Sequence, residues 1–181
     1  MTQSLQMSIA VARKAASRLF TEAGLELPVD LRELLSWRGL RLEFEDGWPN
    51  SLCARLYASE RLVVVNGRHA RVRQRFSIAH ELGHLHLGHE DVDINHGIEA
   101  IFGDEDESYD KVQGDLEREA NAFAAELLMP KVWITGQKVS STENLVSLIR
   151  SCCDVSEPAA WYRIMEVKAG VFGNTRGRAR H

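Results

Sequence analysis

The segment Phe76-Ser77-Ile78-Ala79-His80-Glu81-Leu82-Gly83-His84 constrains the fold of this chain most, because it sets His-Glu-x-x-His inside an apolar helical pattern. Residues four apart on a helix share a face, with Cβ atoms about 5–6 Å apart. His80 and His84 can therefore each bring a ring nitrogen to one Zn2+ at typical Zn–N distances of about 2.0–2.1 Å. Glu81 sits beside the pair, where a carboxylate can take a proton from water during hydrolysis of an amide bond. The competing reading is a helix with two surface histidines. Phe76, Ile78, Ala79, Leu82, Leu85 and Leu87 argue against it, since they make the helix apolar around much of its circumference. Histidines on a buried helix need partners, and one metal ion satisfies two of them.

A catalytic zinc usually has three protein ligands and one open position. The metzincin pattern would take its third ligand from a histidine at position 90, after a glycine at position 87. The chain has Leu87 and Glu90, with Gly88 and His89 each one place out of register, so that pattern fails. A later helix offers an acidic alternative, in Glu117-Arg118-Glu119-Ala120-Asn121-Ala122-Phe123-Ala124-Ala125-Glu126-Leu127-Leu128-Met129-Pro130. Its residues are strong helix formers, with Asp115 expected as the N-cap and Pro130 as the stop. Glu117, Ala120, Asn121 and Ala124 share one face. The alanines allow close approach to the motif helix, Glu117 can reach the metal, and Asn121 can hydrogen-bond a ligand histidine. Glu119 points about 200° away and is the weaker candidate. The bland alternative for Glu117 is a solvated first-turn glutamate favoured by the helix dipole.

With these residues in place, FSIAHELGHLHLGH and EREANAFAAELLMP together resemble the ImmA/IrrE family of metallopeptidases. The resemblance extends more loosely over residues 8–168, through an N-terminal helix, the Pro28-Val29-Asp30-Leu31 segment and a hydrophobic strand before the motif. It implies an α+β fold: a zincin-like core with a small mixed or antiparallel sheet, followed by a C-terminal helical annex. It implies His80, His84 and Glu117 as zinc ligands and Glu81 as general base. It also implies an endopeptidase acting on a specific intracellular protein, a helix-turn-helix transcriptional repressor being the substrate type associated with the family. The alternative is a zinc-stabilised regulatory or interaction module without turnover. Retention of Glu81 favours the enzyme. Structural zinc sites are also usually closed by four ligands, often cysteine, and Cys53, Cys152 and Cys153 all lie away from the motif.

A length of 181 residues suits one domain with a small annex, and 44% hydrophobic with 27% charged residues is a globular balance. No apolar run approaches the roughly 20 residues of a membrane span, and Met1 to Met7 lacks the parts of a signal peptide. Three cysteines without a C-x-x-C pair read as reduced thiols, so the expected compartment is the cytoplasm. The net charge of −4 argues against direct nucleic-acid binding. Arg68, Arg71, Arg73 and Arg75 precede the motif helix, where they can receive an acidic substrate segment or form a solvated face.

Along the chain, helical spacing runs from Ser8 to Ala23, and a short helix from Asp30 ends near Gly39. Leu40 to Glu45 alternates like a half-buried strand, and residues 53–58 and 61–66 read as a hairpin. Residues 53–66 are the candidate edge for accepting substrate as an added strand, with Tyr57 near the cleft; central pairing of the strand is the alternative. The acidic interval from Glu90 to Gly114, with His96 and Tyr109, can gate the site or be a plain insert. Ser140 to Glu143 opens one annex helix, and Val155 to Pro158 opens another with Trp161, Ile164, Met165 and Val167 on its apolar side. The pair resembles a helix-turn-helix, but Arg163 and Lys168 against Glu157 and Glu166 make a weak DNA footprint. The expected organisation is a peptidase domain over 1–135, an annex over 136–172, and a flexible basic tail over 173–181 carrying Arg176, Arg178 and Arg180.

Overall fold

Alanine and leucine spacing at i, i+4 and i+7 gives the first helix, α1 (Gln3–Glu22), a buried stripe of Ala12, Ala16 and Leu19. The computed structural model describes residues 3–89 and 111–175. Helix α2 (Leu31–Trp37) starts at Asp30, whose carboxylate accepts from the N–H groups of Arg32 and Glu33, both at 3.0 Å. A cap of this kind contributes about 1 kcal/mol. The strands β1 (Arg41–Glu45), β2 (Ala54–Tyr57) and β3 (Leu62–Asn66) follow, then the motif helix α3 (Arg71–Leu87). After them come α4 (Lys111–Leu128), α5 (Lys131–Gly136), α6 (Thr142–Cys153) and α7 (Glu157–Thr175). The fold is α+β, with seven helices and one small sheet among the described residues.

The sheet is mixed. Its order is β1-β3-β2, with β3 parallel to β1 and antiparallel to β2. The β-branched run of β3 therefore sits in the middle, with Leu62, Val63, Val65 and Asn66 buried. This corrects the expectation of a substrate edge over the whole of residues 53–66, because β3 is paired on both sides and, within that stretch, only β2 has an outer side. Asn66 N–H donates to Cys53 O at 2.9 Å. By the alternation of an antiparallel ladder, Ala54 and Leu56 then turn their backbone groups outward. β1 is more exposed than its alternation suggested, since only Leu42 is half-buried and Phe44 is covered on one face by the Arg32 guanidinium at 5.1 Å.

Helix α3 lies between the sheet and α4, and α1 packs along α4. What lets α3 and α4 come so close is Gly83. A Cβ placed there would meet Ala120 O at 3.2 Å, Ala120 Cα at 3.3 Å and Phe123 Cδ1 at 3.2 Å. Asp115 is not the N-cap of α4, because the helix already begins at Lys111; its carboxylate instead pairs with Arg118 at 3.2 Å. The short helix α5, which residue spacing did not suggest, follows directly on Pro130.

The annex shares the core of the rest of the molecule. Val146, Ile149, Cys153, Val155, Ala160, Ile164 and Val167 belong to one hydrophobic cluster with Leu127, Leu128 and Met129 of the α4 end. Ser141 caps α6 by accepting from Asn144 N–H at 3.2 Å. In α7 the buried face is set by Ala160, Ile164 and Val167, and Arg163 falls on it. Met165 faces solvent, 55% exposed, which corrects its place on the apolar side. Arg163 is accordingly withdrawn from any phosphate contact; it is buried, pairs with Glu126 and donates to Met129 O at 3.0 Å.

The acidic interval through residue 110, with His96 and Tyr109, lies outside the described residues, as does the tail beyond Thr175 with its three arginines. Among the described residues, no helix is long and apolar enough to cross a membrane.

Candidate metal centre

The buried run of α3 is continuous from Ser77 to His84 and carries the motif's polar side chains into the core. Glu117 on α4 meets them there. His80 Nε2 lies 3.2 Å from Glu117 Oε2, His84 Nε2 lies 3.3 Å from Glu117 Oε1, and the two Nε2 atoms are 3.0 Å apart. All three side chains are buried, and one donor atom from each lies within 4.8 Å of the others.

The chemistry of this set fits a cation. His80 Nδ1 is 2.8 Å from Asn121 Oδ1, and an amide oxygen can only accept, so the His80 proton sits on Nδ1 and Nε2 presents a lone pair. Burial, opposed by the pull of Glu117, pushes the His84 imidazole down to a pKa of about 4, so this ring is neutral at pH 7. Two imidazole nitrogens and a carboxylate thus converge on one buried point. Three tetrahedral ligands at about 2.05 Å from one zinc ion would stand about 3.3 Å from one another, close to the 3.0–3.3 Å found here. His80, His84 and Glu117 can therefore hold a metal ion. Glu81, completely buried, follows His80 on the same helix.

Glu119 is not part of this group. Its Oε2 lies 3.3 Å from Nε2 of His89, and Nδ1 of His89 lies 3.1 Å from Nδ1 of His84. Burial, partly offset by Glu119, lowers the His89 pKa. The place of His89 escaped the sequence, although the signal was there in the Gly88-His89 pair. Gly88 closes α3 in the left-handed region at φ 77°. The chain reverses on it, with His89 N–H bonded to His84 O at 2.9 Å and Gly88 N–H to Leu85 O at 3.3 Å. These two bonds make a Schellman turn, and it folds the His89 ring back under His84.

Arg71, Arg73 and Arg75 fall within the first turns of α3 rather than before it, and two of them serve the annex. Arg71 pairs with Asp154 at 2.8 Å, while Arg75 reaches the same carboxylate at 3.3 Å and donates to Asp154 O at 3.2 Å. Asp154 ends α6 in the left-handed conformation at φ 54°. Two of the four arginines are thereby committed to holding the α6–α7 junction against the start of the motif helix.

Residues 38–138 match the peptidase family described as the IrrE N-terminal-like domain. Among solved structures, a Mycobacterium tuberculosis transcriptional regulator is similar at a TM-score of 0.59 and 22% identity. The match covers 84% of this chain and 46% of that one, so the chain spans about half the regulator's length. At that identity the likeness concerns the fold. No curated protein sequence matches.

Proposed function

This chain belongs to the peptidase family of the IrrE N-terminal-like domain, and from that premise we propose that it is a zinc-dependent endopeptidase that cleaves a specific intracellular protein. The observation that carries the reading is the convergence of His80, His84 and Glu117 on one buried point beside Glu81. His80, His84 and Glu117 hold the zinc, and Asn121 fixes the His80 ring through its Nδ1–H. When bound, zinc supplies the Lewis acidity that lowers the pKa of water from 15.7 towards about 7 and polarises the scissile carbonyl. Glu81 takes the proton of the attacking water at its carboxylate and returns it to the leaving nitrogen. Substrate lies extended along the outer side of β2, against the backbone groups of the half-buried Leu56, and strand addition of this kind binds through main-chain hydrogen bonds.

The substrate class is a helix-turn-helix transcriptional repressor, a reading supported by family membership. A second reading is a zinc-stabilised regulatory module without turnover, since the protein of similar fold is titled a transcriptional regulator. Glu81→Gln separates the two. New protein N-termini are compared between cells making the wild-type chain and cells making the variant. Termini that appear only with Glu81 intact support the peptidase and identify its substrate. If both proteins carry metal and no such termini form, the regulatory module takes its place.

A further inference from the structure

We propose that His89 and Glu119 are positioning residues for the metal centre, forming a carboxylate–imidazole relay that fixes the tautomer and orientation of His84. The proposal rests on the metal reading of His80, His84 and Glu117 and adds to it two residues outside the ligand set.

The relay follows from proton bookkeeping along three side chains. A ligand His84 offers the Nε2 lone pair that faces Glu117 and His80. Its single proton is then on Nδ1, pointing at Nδ1 of His89 over 3.1 Å. At the other end, the Glu119 carboxylate can only accept. The His89 nitrogen facing it at 3.3 Å is Nε2, so Nε2 carries the His89 proton. That leaves Nδ1 of His89 with a lone pair, which is what the His84 proton requires. The two ends, reasoned separately, fix one and the same arrangement: His84 Nδ1–H donates to His89, and His89 Nε2–H donates to Glu119.

The two ligand histidines are consequently supported by different chemistry. His80 donates to the neutral amide of Asn121 at 2.8 Å, whereas His84 donates to a ring polarised by a carboxylate. A negative charge at the far end of the relay makes the His84 ring a stronger donor to a cation. Local structure holds the relay together. The Schellman turn at Gly88 sets the His89 ring under His84, and Glu119 stands two residues beyond the ligand Glu117, turned away from the ligand face of α4. Loss of ring support to a metal ligand typically costs roughly 10–100-fold in metal affinity.

The test uses the full chain loaded with zinc and measures affinity by chelator competition, with histidine-labelled protein read by long-range 1H–15N correlation. The wild-type spectrum is expected to show His84 protonated on Nδ1 and His89 protonated on Nε2; a His89 ring protonated on Nδ1 overturns the relay without any variant. His89→Ala should weaken zinc binding roughly 10–100-fold. Glu119→Gln keeps an acceptor but removes the charge, and should weaken binding less. His89→Asn restores an acceptor for His84 while cutting the link to Glu119. It should therefore recover part of the affinity, and adding Glu119→Gln to it should change nothing further. Equal zinc affinity in wild type, His89→Ala and Glu119→Gln overturns the relay and leaves the metal reading standing. A wild-type chain that takes no metal overturns both.

Discussion

Two buried side chains, His84 and Cys153, are driven in opposite directions by the same desolvation. Burial favours the uncharged form of each, pushing the His84 pKa down to about 4 and the Cys153 pKa up to about 12. For the imidazole, neutrality exposes a lone pair and suits a metal ligand. For the thiol it removes the nucleophile, leaving roughly a thousandfold less thiolate at pH 8 than an ordinary thiol carries. In the folded chain, alkylation at pH 8 followed by mass spectrometry should label the more accessible Cys152 and spare Cys153. The folded state holds the Cys153 proton more tightly than the unfolded one, so stability should fall as pH rises from about 9 towards 12. Equal labelling of the two thiols would contradict this environment. The nearness of His80 to His84, and of both to Glu81, was legible because helical spacing alone brings such residues together. Glu117 and Asn121 could be assigned to one face for the same reason. His89 was not legible, because its position depends on a left-handed turn that reverses the chain, and a template with the histidine one place later discards it.

At the scale of elements, the distance between α3 and α4 decides whether Glu117 can reach the histidines. Gly83 sets that distance, and the atoms a side chain would meet there include the Ala120 carbonyl and Cα, which cannot rotate away. Gly83→Ala gains up to about 1 kcal/mol of helix propensity against an overpacking cost of about 1–3 kcal/mol. The expected net effect is destabilisation by about 1 kcal/mol, with weaker zinc binding as α4 moves outward. Thermal unfolding with and without zinc, together with chelator competition, measures both; unchanged zinc affinity would mean that Glu117 follows the displacement. The alanines at 120 and 124 pointed to close approach from α4, but the glycine that completes it hid inside a motif read for its histidines. The strands were legible from β-branched runs and turn residues. Their order was not, because the parallel pairing of β1 with β3 joins residues 41–45 to 62–66 across the intervening β2. The start of α4 was misplaced at Asp115 because a good capping residue inside a helix looks the same in sequence as one at its end.

At the scale of the molecule, α4 carries polar side chains on two opposite faces. Glu117 and Asn121 turn to the candidate metal site, and Glu126, nine residues beyond Glu117, turns about 180° away. There Glu126 accepts from Ser17 Oγ at 2.9 Å and from Lys131 N–H at 3.0 Å, and pairs with Arg163 of the annex. Arg163 in turn donates to Glu166, which also pairs with Arg13 of α1. The sequence counted Arg163 and Glu166 only as part of a weak DNA footprint and gave Glu126 no role, because a buried arginine is recognisable only through an acidic partner 37 residues away. Since the annex also shares one hydrophobic cluster with α4, the helices α6 and α7 should unfold together with the rest of the described chain. Arg163→Met leaves the Glu126 carboxylate buried without its cation, a change that costs about 3–5 kcal/mol. Adding Glu126→Gln removes the stranded charge and keeps an acceptor for Ser17 and Lys131, so it should recover most of that loss. Calorimetry of the wild-type chain should show one transition, raised as a whole by zinc, with about 2.7 kcal/mol gained at a hundredfold excess over Kd. Two transitions, of which zinc moves only one, would mean that the annex is an independent unit and that the Arg163–Glu126 pair merely tethers it. A single transition in the double variant, restored nearly to the wild-type temperature, would mean that the shared apolar core joins the two parts and the ion pair only fixes how they dock.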